Sequence, residues 1–155
     1  MNTSLLVVMV ILVVFSAFFS SAETAFSSLN RVKLKAMEND TNSNKIERAL
    51  SLSSDYDMVL STILIGNNIV NIASTSIATL FFTGILGDNS DLGATVSTIV
   101  MTIVVLIFGE ITPKTIAKEK AESYAVIIAP VVKFFVFVFY PLNLVFRGWK
   151  RLLNK

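Results

Sequence analysis

The stretch LSTILIGNNIVNIASTSIATLFF, Leu60 to Phe82, is apolar enough to cross a bilayer, yet it carries three asparagines. In an α-helix these 23 residues cover about 34 Å, slightly more than the hydrocarbon core of a membrane. A second stretch, VVLIFGEITPKT from Val104 to Thr115, runs from apolar residues directly into an acid and then a proline. Because polar groups are costly inside a bilayer, both stretches predict membrane helices that carry a functional polar site.

The composition indicates the same class of protein. The 155 residues are 54% hydrophobic and 15% charged, whereas a soluble domain has about 25% charged residues. The chain has no Cys and no His, which excludes disulfides, thiolate or imidazole zinc sites, Cys nucleophiles and Ser-His-Asp triads. The basic residues flank apolar segments and form no separate patch. We therefore expect a lipid bilayer as the surroundings and no nucleic acid as a partner.

The distribution of charge predicts the topology. We expect three spans, at about residues 5–26, 59–82 and 94–109. The connection from Arg31 to Arg48 is basic, the next one carries Asp88 and Asp91, and the last runs from Lys114 to Lys120. Basic connections lie on the cytoplasmic side. This pattern predicts a multi-pass protein of the cell membrane with its N-terminus outside and its C-terminus in the cytoplasm.

A fourth apolar stretch, at about 121–146, interrupts the alternation. It contains Pro130, Lys133 and Pro141, and a basic tail at 147–155 follows it. Lys at the bilayer centre costs about 2.5–3.5 kcal/mol on insertion scales, and a fourth crossing would leave the basic tail outside. A bent helix at the cytoplasmic interface is therefore favoured over an ordinary fourth crossing. The predicted fold is an all-α membrane protein, with a transmembrane domain at 1–146, three transmembrane helices, short cytoplasmic-side helices and a juxtamembrane helix.

The polar residues within the apolar segments are oxygen donors. Ser16, Ser20 and Glu23 share one helical face, and Asn67 and Asn71 are one turn apart. Pro113 cannot donate a hydrogen bond to the carbonyl of residue 109, so we expect the third helix to break there and expose carbonyls beside Glu110. Hydroxyl, amide, carbonyl and carboxylate oxygens suit Mg²⁺, Ca²⁺ or Na⁺. For a single serine, close helix packing is the commoner role, and a purely structural membrane anchor remains an alternative interpretation.

Three motifs together resemble one known family. SAETAF (Ser21–Phe26), GNNIVN (Gly66–Asn71) and FGEITPK (Phe108–Lys114) are similar to motifs in the transmembrane domain of the CorC/cyclin M family of magnesium transporters. GEITPK together with GNN, in this order, is the specific part, and the resemblance covers essentially the whole chain. It implies Mg²⁺ export coupled to Na⁺ and a homodimer. It also implies three membrane helices per protomer, with the juxtamembrane helix forming a belt.

The resemblance also implies a set of site residues. The ion-site candidates are Ser16 and Ser20 on the first helix, Asn67 on the second, and the Gly109 carbonyl and Glu110 on the third. Residues with supporting roles are Glu23, Asn71, Pro113 and Lys114. Members of the family continue into a pair of CBS domains that bind nucleotide. We therefore expect the natural protein to continue beyond the basic tail, and regulation by nucleotide is not assigned to this chain.

Two further expectations concern assembly and the competing functions. The dimer interface is expected to use small residues of the second and third spans: Ser74, Ala78, Ser97 and Thr98. A non-transporting anchor or Mg²⁺ sensor that acts through cytoplasmic domains is the alternative to a transporter. An enzyme is not expected, because Glu23 and Glu110 are not accompanied by a His, a Cys or a pair of Asp residues.

Overall fold

The structure is a computed structural model that describes residues 2–39, 42–86 and 90–145. Within these residues nearly every position is helical and none lies in a strand, which confirms the all-α prediction. The elements in chain order are α1 (Asn2–Ser28), α2 (Arg31–Ala36), α3 (Ser43–Ser54), α4 (Tyr56–Leu86), α5 (Ser90–Val104), a π-helical segment (Val105–Ile111), α6 (Thr112–Glu119) and α7 (Ala121–Val138). The predicted Asp88 and the basic tail at 147–155 lie outside the described residues.

Four stretches of the described helices are long and apolar enough to cross a membrane. They are Thr3–Ser28, Tyr56–Leu86, Asp91–Glu119 and Ala121–Val138. The first three contain the predicted spans and extend beyond them at both ends. The fourth is α7, which stays helical through Pro130, turns at Phe139 and is followed by helical residues 140–145. Length and composition allow α7 to cross, and its location at the interface stays a prediction.

The predicted break at Gly109–Pro113 is wrong. The third helix continues from α5 through the π segment into α6. In the π segment the Thr112 N–H bonds to the Ile107 carbonyl, five residues back. Pro113 is the second residue of α6, directly after the π segment. The chain adjusts to the proline by widening one turn of helix, and a π turn of this kind often marks a functional site.

The chain divides into two compact units, and the first comprises the described residues within Met1–Ser21 and Asn67–Thr115. Its apolar core is formed by Met9, Ala78 and Met101, with larger side chains packed around them. Helices α4 and α5 approach closely at Gly93, where an added Cβ would lie 2.7 Å from Thr83 Cγ2 and 2.8 Å from Thr83 Cα. In this unit α4 and α5 therefore pack through small residues, as expected where lipid supplies no hydrophobic drive.

Most of the small residues that were predicted to form the dimer interface are buried inside the protomer. Ser74, Ala78 and Ser97 are fully buried within the single chain, and the hydroxyls of Ser97 and Thr79 lie 3.3 Å apart. These three residues therefore pack inside the protomer and are not available to a partner. Of the four residues expected at the interface, Thr98 is exposed.

The second unit comprises the described residues within Ala22–Gly66 and Ile116–Lys155. Helix α3 is amphipathic: it buries Ile46, Ala49 and Leu52 at intervals of three and packs against α7. The Asn30 side chain caps α2 by accepting from the N–H groups of Val32 and Lys33.

Two polar contacts join the elements of the second unit. The buried Glu122 carboxylate accepts from Lys33 Nζ at 3.0 Å and from the Asn30 N–H at 3.4 Å, which connects α7 to α2. The buried Asn143 amide donates to Thr62 Oγ1 of α4 at 2.8 Å. Because both Glu122 and Asn143 are almost fully buried, each contact satisfies a polar group that would otherwise be costly to desolvate.

Candidate functional site

Three side-chain oxygens come together in the first unit. Ser16 of α1 is fully buried, and its hydroxyl donates to Asn71 Oδ1 of α4 at 2.7 Å. Asn67 Oδ1 lies 3.4 Å from the same hydroxyl, at the outer limit of a hydrogen bond. Ser16 has one proton and gives it to Asn71, so Asn67 Oδ1 and the Ser16 lone pairs stay available. The cluster is rich in acceptors, which favours a cation.

The π segment brings its backbone against this cluster. Gly109 is buried, and a Cβ added to it would lie 2.9 Å from Ser16 Oγ and 3.3 Å from Ser16 Cβ. Only a glycine therefore permits this approach without displacing Ser16. Pro113 has no N–H to give to the carbonyl of Phe108 in the π register or to that of Gly109 in the α register. The structure thus places Gly109 beside the side-chain oxygens. In this part of the helix one backbone carbonyl receives no hydrogen bond from residue 113, because proline has no N–H.

Glu110 lines a cavity of about 270 Å³ together with Asn71 of α4. Residues of α5 and of the π segment form most of its remaining wall: Thr98, Met101, Thr102, Val105 and Leu106. In the wide π turn, residues four apart lie more nearly in line than in an α-helix, so Glu110 follows Leu106 along the wall. Asn71 lines the cavity that contains Glu110, and it also accepts the hydrogen bond from Ser16. It therefore connects Glu110 with the oxygen cluster at Ser16.

Three threonines of the cavity wall present oxygens without free protons. Thr75 donates to the Asn71 carbonyl at 3.0 Å, Thr98 to the Ala94 carbonyl at 2.9 Å, and Thr102 to the Thr98 carbonyl at 2.7 Å. A hydroxyl whose proton is committed to the backbone can offer only its lone pairs to a ligand. The wall therefore supplies hard neutral acceptors near one carboxylate, which is the chemistry that binds Mg²⁺, Ca²⁺ or Na⁺.

The other residues predicted for the site differ in burial and in the unit to which they belong. Ser20 is fully buried, one turn after Ser16 on the same face of α1. Pro113 and Lys114 are half-buried in the first turn of α6. Glu23 is half-buried on α1 in the second unit, and its supporting role stays a prediction.

The threonines of the cavity wall are not among the site residues predicted from the sequence, and Asn71 has a more central position than its predicted supporting role. Its contact with the Ser16 hydroxyl, at 2.7 Å, is the shortest side-chain contact of the oxygen cluster. The available signal was a spacing of four residues, or of twice four. Asn71 and Thr75 on one helix are four apart, and on the other Thr102 follows Thr98 by four residues and Glu110 follows Thr102 by eight. Within the described ranges no three residues among His, Cys, Asp and Glu gather as a metal cluster. A cation here would therefore rest on the Glu110 carboxylate and neutral oxygens.

Comparison with known proteins identifies the family. The profile described as "Cyclin M transmembrane N-terminal domain" matches residues 7–155. A UPF0053 protein of Haemophilus influenzae is 36% identical over 140 residues, 90% of this chain and 32% of that protein. The UPF0053 inner membrane protein YfjD of Escherichia coli is 39% identical over 110 residues, 71% of this chain and 25% of its own length.

A plant relative extends the comparison. A chloroplastic DUF21 domain-containing protein of Arabidopsis thaliana is 36% identical over 136 residues, 88% of this chain and 20% of that protein. The chain thus spans a third or less of the length of each of these relatives. It is a multi-pass membrane domain, and it belongs to the family described by the cyclin M transmembrane N-terminal domain.

Proposed function

We propose that this domain moves Mg²⁺ across the membrane through the cavity beside Glu110, in the direction of export and coupled to Na⁺. One observation carries the proposal: a single carboxylate shares a cavity with acceptor oxygens whose protons are committed elsewhere. Neutral oxygens alone compensate poorly for the lost hydration of a divalent cation. Glu110 would supply the charge, and Asn71 and the threonines would supply neutral ligands.

The size of the cavity is consistent with a partly hydrated ion. Mg²⁺ gives up its water reluctantly and is commonly held by one or two carboxylates while it keeps several waters. About 10–15 Å³ of cavity space is enough to hold one water, so the cavity of about 270 Å³ has room for the ion and part of its shell. The Ser16 cluster and the Gly109 carbonyl would replace further waters as the ion moves towards α1. The candidate ligands are Ser16, Ser20, Asn67, Asn71, Gly109 and Glu110.

The test is ion flux. The purified domain is reconstituted into liposomes that contain a Mg²⁺-sensitive dye, and a Mg²⁺ gradient is applied with and without an opposing Na⁺ gradient. Transport predicts a protein-dependent Mg²⁺ signal that the Na⁺ gradient accelerates. Specific Mg²⁺ binding without any flux would instead indicate a sensor or anchor that acts through other parts of the natural protein.

The assembly and orientation are part of the same proposal. We expect a homodimer whose N-terminus is outside and whose C-terminus is in the cytoplasm, where it connects to CBS domains in the natural protein. Exposed positions such as Thr98 would contribute to the interface in place of the small residues buried inside the protomer. Native mass spectra in mild detergent that show monomers alone at micromolar protein would contradict the dimer.

The two asparagines should differ in importance. Asn71 accepts the Ser16 hydroxyl at 2.7 Å and also lines the cavity, whereas Asn67 lies 3.4 Å from that hydroxyl. Asn71→Ala should weaken Mg²⁺ binding about tenfold and Asn67→Ala about threefold, the range expected for losing one hydrogen-bonding group. Isothermal titration of both variants measures this order. If Asn67→Ala weakened binding more than Asn71→Ala, the ion site would lie near Ser16 of α1 and not in the cavity beside Glu110.

A further inference from the structure

A second polar cavity lies in the other unit, between α3 and α7. It has a volume of about 390 Å³ and is lined by Asn44, Glu47, Arg48, Ser51, Leu52 and Lys133. The first four occupy one face of α3, at positions i, i+3, i+4 and i+7. Lys133 comes from α7, which packs against α3. The two helices therefore direct two cations, a hydroxyl and an amide towards one space.

Among the described residues, Arg48 and Lys133 form no ion pair with an acidic side chain. Across the described ranges 2–39, 42–86 and 90–145, an ion pair joins Lys33 to Glu122, and neither Arg48 nor Lys133 forms one. Glu47 lines the same cavity but lies beyond ion-pair distance of both. The three charged side chains add to a net charge of about +1, so the cavity is suited to an anion that carries one negative charge.

The surface of α7 around Lys133 is apolar. Phe137 follows Lys133 by one helical turn and is 80% exposed, and the adjacent Phe134 is 59% exposed, although both are large apolar side chains. Lys133 is the one charged residue between Glu122 and Arg147 in the sequence. In a membrane domain, apolar side chains exposed in this way are suited to contact with acyl chains. A ligand that combines acyl chains with a singly charged anionic group would match both the cavity and its apolar surroundings.

We propose that this cavity binds the phosphodiester headgroup of an anionic glycerophospholipid. The Arg48 guanidinium can hold two phosphate oxygens at once, and the Lys133 ammonium supplies a second positive charge. Ser51 and Asn44 offer neutral donors, and Glu47 can accept from a hydroxyl of the headgroup. Inorganic phosphate, with a charge nearer −2 and no acyl chain, matches the cavity less well. The proposal does not depend on Mg²⁺ transport.

The experiment measures binding of short-chain phosphatidylglycerol to the purified domain in detergent by native mass spectrometry. Phosphatidylcholine with the same chains is the zwitterionic comparison, and inorganic phosphate is added as a competitor. Each basic residue near an anionic lipid surface contributes about fivefold in affinity. Arg48→Gln with Lys133→Gln should therefore weaken phosphatidylglycerol binding about twenty-fivefold and leave phosphatidylcholine binding unchanged.

Two further variants make the result decisive. Lys45→Gln removes an exposed charge from α3 outside the cavity and should change phosphatidylglycerol binding less than twofold. Arg48→Lys with Lys133→Arg keeps both charges and should retain most of the binding. The proposal is overturned by a double Gln variant that binds like the parent, by an equal loss in Lys45→Gln, or by an equal loss in the charge-keeping variant. Phosphate that competes at concentrations equal to the lipid would also overturn it, because the ligand would then be the free anion.

Discussion

Replacing Glu110 with Gln should reduce the affinity of the domain for Mg²⁺ by at least about thirtyfold while the protein stays folded. The change keeps the size of the side chain and removes the one carboxylate that lines the cavity of the first unit. Loss of the charged partner of a desolvated ion costs about 2–5 kcal/mol, which sets the scale of the effect. Isothermal titration gives the affinity, and liposome flux should fall in parallel with it.

Two matched substitutions test this assignment. Glu119→Gln makes the same chemical change at an exposed residue at the end of α6 and should leave Mg²⁺ affinity within twofold of the parent. Glu23→Gln removes the other acid of the three family motifs and should have a smaller effect than Glu110→Gln. If Glu110→Gln binds and moves Mg²⁺ like the parent while Glu23→Gln does neither, the ion site lies at Glu23.

The sequence was sufficient to predict where the polar residues of the site would lie along the helices. The four-residue spacing of Asn67 and Asn71 places both on one face of α4, and the structure brings that face to Ser16. The acid at Glu110 was predictable because a carboxylate at the end of an apolar run has to be explained by function. The first prediction depended on helical periodicity and the second on a charged residue in an apolar run, and a single sequence contains both signals.

The course of the third helix could not be predicted in the same way. Pro113 removes a backbone donor, and the chain can respond either by breaking the helix or by widening it. The structure shows the wider turn, with the Thr112 N–H bonded to the Ile107 carbonyl. Which response is more favourable depends on tertiary contacts such as the approach of Gly109 to Ser16. Such contacts join residues more than ninety positions apart, and no local pattern contains them.

The burial of the small residues was unpredictable for a related reason. Ser74, Ala78 and Ser97 permit close approach of helices wherever they occur, and sequence does not say whether the neighbouring helix belongs to the same chain or to another. The structure places them inside the protomer.

The threonines of the cavity wall could not be predicted as site residues, because a Thr bonded to its own helix is common in membrane helices. Their possible role as ligands follows only from the structure, which places them on the wall of the same cavity as Glu110.

A comparison of two Gly→Ala variants should separate stability from ion binding. At Gly109 the new Cβ would lie 2.9 Å from Ser16 Oγ, which can move away by rotating, and 3.3 Å from Ser16 Cβ and Val105 Cγ1. Rotation of Ser16 relieves the closest contact but breaks its hydrogen bond to Asn71. Because Ala is also favoured over Gly in a helix by about 1 kcal/mol, the melting temperature should change little. Mg²⁺ affinity should fall about tenfold, since Asn71 loses its fixed position.

Gly93→Ala should show the opposite pattern. Its Cβ would meet Thr83 Cα at 2.8 Å and Thr83 N at 3.0 Å, and backbone atoms cannot rotate away. Overpacking of this kind costs about 1–3 kcal/mol, so the melting temperature should fall, whereas the Mg²⁺ affinity of the folded fraction should remain near that of the parent. Thermal unfolding in detergent and isothermal titration on both variants measure the two quantities. Equal losses of stability and affinity in both variants would mean that Gly109 serves helix packing alone, and the close approach of the π segment to Ser16 would then have no part in holding the ion.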